Sequence, residues 1–146
     1  MSTVWIVAAD SSRAKILESP NRVGPLTAVQ DLEHPESRLK NRDLSADGPG
    51  RSFDSAGQGR HAMEPETEAR EVEAARFARQ ISRLLREQSD HGRFDRLVLA
   101  APPEFLGLLR DSLDKPVRDK ISAEVIKDIA TESPDDIRKH LPDFLY

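Results

Sequence analysis

Val4-Trp5-Ile6-Val7-Ala8-Ala9, then Asp10-Ser11-Ser12, then Arg13-Ala14-Lys15-Ile16-Leu17-Glu18, is the stretch whose reading decides the fold. Six apolar residues in a row suit a strand covered on both faces. The second run alternates, with Ala14 and Ile16 set between polar neighbours, which reads as another strand. The polar connection between them is short, so the pair predicts an antiparallel hairpin. Leu26 to Leu32 predicts a third strand after the turn between Pro20 and Pro25.

Beyond that strand the pattern stops. From His34 to Met63 no periodicity is sustained, and the stretch holds four of the seven glycines, Gly48, Gly50, Gly57 and Gly59. A long helix is predicted from about Glu66 to Asp90. Ala74, Phe77, Ala78, Ile81, Leu84 and Leu85 fall on one face at i, i+3, i+4, i+7 spacing. Its early turns are acidic (Glu66, Glu68, Glu71, Glu73) and its later turns basic (Arg76, Arg79, Arg83, Arg86), an order that complements the helix dipole. Gly92 suits the stop. Leu97-Val98-Leu99-Ala100-Ala101 reads as another buried strand. Pro102-Pro103 opens a helix to about Leu113, since proline is tolerated in a first turn. Ile121 to Ile129 predicts the last strand, with a helix as the alternative. Ser133, ahead of Pro134-Asp135-Asp136, caps a helix reaching about His140. The order β-β-β-α-β-α-β-α gives an α/β fold: a mixed sheet of about five strands, helices on its faces, and a long loop before the first helix.

The 146 residues suit one domain spanning 1–146. With no cysteine, disulfides, thiolate metal sites and cysteine nucleophiles are excluded. No stretch approaches the ~18 apolar residues that span a bilayer. The apolar run at Val4–Ala9 lacks a basic flank and meets Asp10 at once, so it reads as a strand and not a signal peptide. A cytoplasmic protein without membrane insertion is expected. The net charge of −4 excludes a global basic field for nucleic acid, although a local patch is compatible with it.

The most distinctive chemistry lies in Gly50-Arg51-Ser52-Phe53-Asp54-Ser55-Ala56-Gly57-Gln58-Gly59-Arg60-His61-Ala62-Met63. Its glycines permit close backbone approach to a ligand. Arg51 and Arg60 offer planar forks for phosphate or carboxylate. His61 can donate, accept or carry a proton near neutral pH. The motif stands just before a helix start, where anions are favoured, although Glu64, Glu66 and Glu68 there oppose one. A loop of about 34–65 is therefore the expected functional segment, flexible, with a solvated loop of ordinary charges as the alternative. Arg38, Lys40 and Arg42 form a smaller basic cluster, diluted by Asp43 and Asp47.

Other candidates carry less. Asp10 ends the first strand, where an acid can hold Mg²⁺ in nucleases of this strand order, provided other carboxylates such as Glu73 converge on it; a turn role is the alternative. Ser11, Ser12, Ser52 and Ser55 invite a hydrolase reading with His61, but no nucleophile-elbow pattern accompanies them. His34, His91 and His140 lack metal spacing. Trp5 is expected in the core. No metal or other cofactor is expected.

The opening Trp5-Ile6-Val7-Ala8-Ala9-Asp10 with Arg13-Ala14-Lys15-Ile16-Leu17, the Gly50–Met63 motif and Arg96-Leu97-Val98-Leu99-Ala100-Ala101-Pro102-Pro103 together resemble a bacterial family of proteins required for attachment to host cells. The likeness covers nearly the whole chain. That family is similar in outline to the middle domain of archaeal and eukaryotic peptide-release factors, and the strand order to ribonuclease H-like folds. In the release-factor domain a Gly-Gly-Gln loop precedes a long helix and positions water to hydrolyse the peptidyl-tRNA ester. The resemblance places Gln58 near that catalytic glutamine; this chain reads Ala56-Gly57-Gln58 there. Length leaves no room for codon-reading or factor-binding domains, so a full release factor is not expected. The resemblance implies a non-enzymatic protein associated with RNA or the ribosome. Its binding loop would comprise Arg51, Ser52, Asp54, Gly57, Gln58, Gly59, Arg60 and His61, with Gln58 as the catalytic residue if water is activated. The alternatives are a metal-dependent nuclease or other hydrolase, and a protein-interaction component of bacterial attachment to host cells.

Overall fold

In a computed structural model that describes residues 2–35 and 59–146, with the side chains of 59–67 outside the description, Val4–Ala9 forms β1 and all six of its residues are buried. The unbroken apolar run has a simple cause. Trp5, Val7 and Ala9 enter one core while Val4, Ile6 and Ala8 enter another on the opposite face, as the period of two requires. Arg13–Ser19 forms β2 and pairs antiparallel with β1, Val4 opposite Ser19 and Ala9 opposite Ala14. Thr27–Glu33 forms β3, antiparallel to β2, with a register shift between Ile16 and Leu17. Arg96–Ala101 forms β4 and Ile121–Ile126 forms β5, paired parallel to β1 and β4 respectively. The five-stranded sheet runs β3-β2-β1-β4-β5. This is the mixed sheet expected from the sequence.

The first helix, α1, spans Gly59–Asp90. It lays Phe77, Ala78, Ile81 and Leu85 on the Trp5 face, beside Phe105 and Leu109 of α2 (Pro103–Ser112). A short α3 (Lys115–Arg118), not anticipated from the sequence, adds Val117 to that core. Pro116 at its start and four residues of length leave no apolar period to read. The opposite face is covered by Ile137 of α4 (Pro134–Lys139) with Ile129, Leu141 and Leu145. Each fully buried Phe, Leu or Ile contributes about 1.5–3 kcal/mol relative to exposure, so both layers are needed to close the sheet.

The element ends carry their own chemistry. Gly92 has φ 71, and the N–H groups of Gly92 and Arg93 donate to the carbonyls of Ser89 and Gln88, each at 3.0 Å. That bond pair is a Schellman stop, as expected of glycine after the last turn. Ser133 accepts from the Asp136 N–H at 3.2 Å and caps α4. Pro103 sits in the first turn of α2. One boundary differs from expectation: α1 begins seven residues before Glu66 and runs through Pro65. Proline lacks the N–H that would reach the His61 carbonyl, which is why it reads as a helix boundary in sequence. β5 also stops at Ile126 instead of Ile129, and Ile129 lies beyond the strand in the core with Val4, Ile6 and Ala8.

Candidate functional site

The carboxyl ends of the parallel strands β1, β4 and β5 meet at one edge of the sheet, where ligands bind in open α/β folds. A cleft of about 470 Å³ opens there. The β1–β2 turn supplies Asp10, Ser11 and Ser12 to it, α1 supplies Arg70 and Glu71, and Asp128 comes from beyond β5. Its apolar wall is Phe105 and Leu108 of α2.

Asp10 has a definite task in that turn. Its Oδ1 accepts from the backbone N–H of Ser12 at 2.8 Å and of Arg13 at 2.9 Å, while its own N–H donates to the Arg13 carbonyl at 2.9 Å. These bonds hold the hairpin, which is the turn role of a short carboxylate. Glu73, the acid named as a possible companion, serves elsewhere. Among the described residues no three His, Asp or Glu are placed together so as to hold a metal ion. The nuclease reading centred on Asp10 requires such convergence, and the described residues do not supply it.

Glu73 instead forms a buried junction. Its side chain is 2% exposed, and it takes a hydrogen bond from His34 Nε2 at 3.0 Å and an ion pair from Arg76 Nη1 at 3.0 Å. An ionised carboxylate can only accept, so Nε2 is the donating nitrogen of His34. The His34 ring stacks on Phe77, centroids 5.4 Å apart, and the His34 backbone N–H donates to the Ser12 carbonyl at 2.8 Å. His34 thereby pins the chain leaving β3 to the middle of α1 and to the β1–β2 turn. The sequence contains a signal for this junction: Glu73 lies four residues before Phe77, on the apolar side of the helix. Its partner is 39 residues distant, beyond the reach of any local pattern.

The remaining candidates fall as follows. Arg51, Ser52, Asp54, Ser55, Gly57 and Gln58, with the Arg38-Lys40-Arg42 cluster, lie outside the described residues. Gly59, Arg60 and His61 form the opening of α1, with their side chains undescribed. The expected loop of about 34–65 thus loses its last seven residues to the helix. Trp5 is a core residue, stacked on Phe94 at 5.0 Å with its Nε1 donating to Glu18 Oε1 at 3.0 Å. His140 pairs with Glu132 at 2.9 Å. No described helix is long and apolar enough to cross a membrane.

The charge order along α1 needs a different explanation from the one the sequence suggested. Because the helix starts at Gly59, no acid stands in its first turn, and no basic residue stands in its last. The dipole acts within those turns, so Arg76, Arg79, Arg83 and Arg86 gain little from it. The earlier start also leaves Glu64, Glu66 and Glu68 beyond the first turn.

Comparisons with known proteins complete the picture. The archaeal translation termination factor aRF1 is similar in structure, with a TM-score of 0.51 and 12% identity, over 97% of this chain and 35% of that one. A second solved structure, an archaeal protein, is similar with a TM-score of 0.42 and 12% identity, over 94% of this chain and 36% of that one. The chain spans about a third of the length of these structures, and the likeness to the termination factor is one of fold. Comparison with curated proteins finds no match. The family described as "Protein required for attachment to host cells" matches residues 5–141, and the chain belongs to it.

Proposed function

We propose that this host-attachment family protein works as an RNA- or ribosome-associated binding protein through the segment that leads into α1. One observation carries the reading. The backbone of α1 begins inside the Gly50–Met63 motif, at Gly59-Arg60-His61. The first turn of a helix presents unsatisfied N–H groups and a positive dipole end, and no acid stands in that turn to oppose an anion. Arg51 and Arg60 would add planar forks matched to phosphate oxygens. The fold likeness to a translation termination factor makes the ribosome the natural first partner to test. Gln58 is the residue proposed to position water, if the segment has any hydrolytic role.

The test is co-sedimentation with ribosomes across a salt series. Binding is expected to weaken steeply as salt rises. Arg51→Ala and Arg60→Ala are each expected to weaken it further. Failure to co-sediment at low salt, or salt-insensitive binding, would overturn the reading. The family's description favours a second reading, an interaction component of attachment to host cells acting through its surface. Loss of attachment on removing the protein, unchanged by Arg51→Ala and Arg60→Ala, would favour it.

A further inference from the structure

Residues 74–86 carry Arg76, Arg79, Arg83 and Arg86 and no acidic residue, in a chain whose net charge is −4. The four arginines project from one side of α1. At 100° per residue they lie within about 80° of one another, opposite the buried Ala74, Phe77, Ala78, Ile81 and Leu85. At 1.5 Å per residue the row is about 15 Å long. Arg76, Arg79 and Arg83 are exposed.

The ends of the row are neutralised and its middle is not. Arg76 pairs with Glu73. Arg86 holds both carboxylate oxygens of Asp90, at 3.1 and 3.2 Å, and reaches Asp114 at 3.2 Å. The hydrogen bond to Asp90, with its charge and that of Asp114, raises the Arg86 pKa above its ordinary value. Arg79 and Arg83 make no ion pair among the described residues. They stand four apart, a spacing at which like charges destabilise a helix. Two positions that could have compensated them from the N-terminal side are neutral: Ala75 is four residues before Arg79, and Gln80 three before Arg83. Glu87 follows Arg83 by four but makes no bridge to it.

The choice of side chain narrows the occupant. Between residues 41 and 114 the chain uses arginine and no lysine. A solvated helix face tolerates either, whereas the planar fork is selected where phosphate oxygens are gripped. Two unpaired forks one turn apart, Arg79 and Arg83, suit a linear anion better than a single small one.

Resting on the binding role proposed above, we infer that the outward face of α1, centred on Arg79 and Arg83, is a track for the phosphate backbone of an RNA strand. The row lies on the same helix that begins in the Gly50–Met63 motif, separated from that start by the acidic turns of Glu64 to Glu73.

The experiment measures binding of a fluorescent single-stranded RNA of about 20 nucleotides by anisotropy, over a salt series. The wild type is compared with Arg79→Gln/Arg83→Gln. Two lost phosphate contacts lower the slope of log K against log salt by about 1.4, which is about 25-fold in affinity at 0.1 M salt. A charge-matched control, Lys127→Gln/Lys139→Gln, removes charge from the segment covering the opposite face of the sheet and is expected to keep the wild-type slope. Thermal melts of the variants exclude a folding defect, and both Arg79 and Arg83 are exposed. If the double variant binds with the wild-type slope while Arg51→Ala/Arg60→Ala does not, the track is overturned and the proposed function stands. If the control loses as much as the double variant, a diffuse field is acting and the track is overturned. Tighter binding of poly-glutamate than of RNA would make the row an acidic-peptide site and overturn it too. If the wild type binds neither this RNA nor ribosomes, both readings fail together.

Discussion

Replacing Glu73 by alanine tests the buried junction that joins the end of β3 to α1. The carboxylate is 2% exposed and has two partners of unequal weight. The His34 side chain is 12% exposed, so its bond to an ionised acceptor is worth about 1.5–3 kcal/mol. Arg76 is 58% exposed, and its share is screened to about 0–1 kcal/mol. Removing the carboxylate should therefore cost about 3 kcal/mol, a large part of the roughly 5–15 kcal/mol available to a domain. At about 3 °C per kcal/mol for this size, the melting temperature should fall by about 10 °C. Glu73→Gln keeps the shape and an acceptor for His34 but loses the charge, and about 1 kcal/mol is expected. Urea unfolding can be followed by the single tryptophan, because Trp5 is buried against Phe94. A double-mutant cycle with His34→Ala should return most of the loss as coupling. The reasoning is refuted if Glu73→Ala unfolds within about 0.5 kcal/mol of wild type, or if Arg76→Ala costs as much as Glu73→Ala.

Two smaller perturbations test element ends. Gly92→Ala places a Cβ in open space, so its cost is the left-handed backbone alone, φ 71, about 1 kcal/mol by urea titration; an unchanged midpoint would contradict the Schellman stop. Ser133→Ala removes the cap on α4 and should cost about 1 kcal/mol. The Asp136 amide, which donates to Ser133 Oγ, should then exchange with deuterium faster; unaltered exchange would show that the cap does not protect the helix.

The sheet was legible because its central strands are buried on both faces. An uninterrupted apolar run at Val4–Ala9 and another at Leu97–Ala101 admit little else, and the short Asp10-Ser11-Ser12 connection fixes the direction of the neighbour. Caps were legible for a similar reason: Gly92 and Ser133 act on atoms two to four residues away. What escaped was non-local or unpatterned. β3 is exposed along most of its length, so no burial pattern marks its ends, which lie one residue beyond the expected Leu26 and Leu32. The His34–Glu73 bond spans 39 positions. The start of α1 is hidden in the sequence because Pro65 imitates a boundary and because no apolar face accompanies the helix before Ala74.

That last difference alters the functional argument. Acid before base along a helix reads as dipole compensation when the helix is taken to begin at Glu66. With the start at Gly59 the acids no longer sit in the first turn, and the last turn has no base. The charge pattern then needs another account. Arg76 and Arg86 have one within the fold, in Glu73 and in Asp90 with Asp114. Arg79 and Arg83 do not, and they repel each other at the cost of a few tenths of a kcal/mol. A folded chain gains nothing internally from that pair. A surface that is locally basic on an acidic protein draws in a polyanion by its local field instead of its net charge, and it does so on the helix whose first residues close the Gly50–Met63 motif. The same boundary that shortens the loop thus extends the candidate binding surface, from a segment of loop to the outward side of a helix.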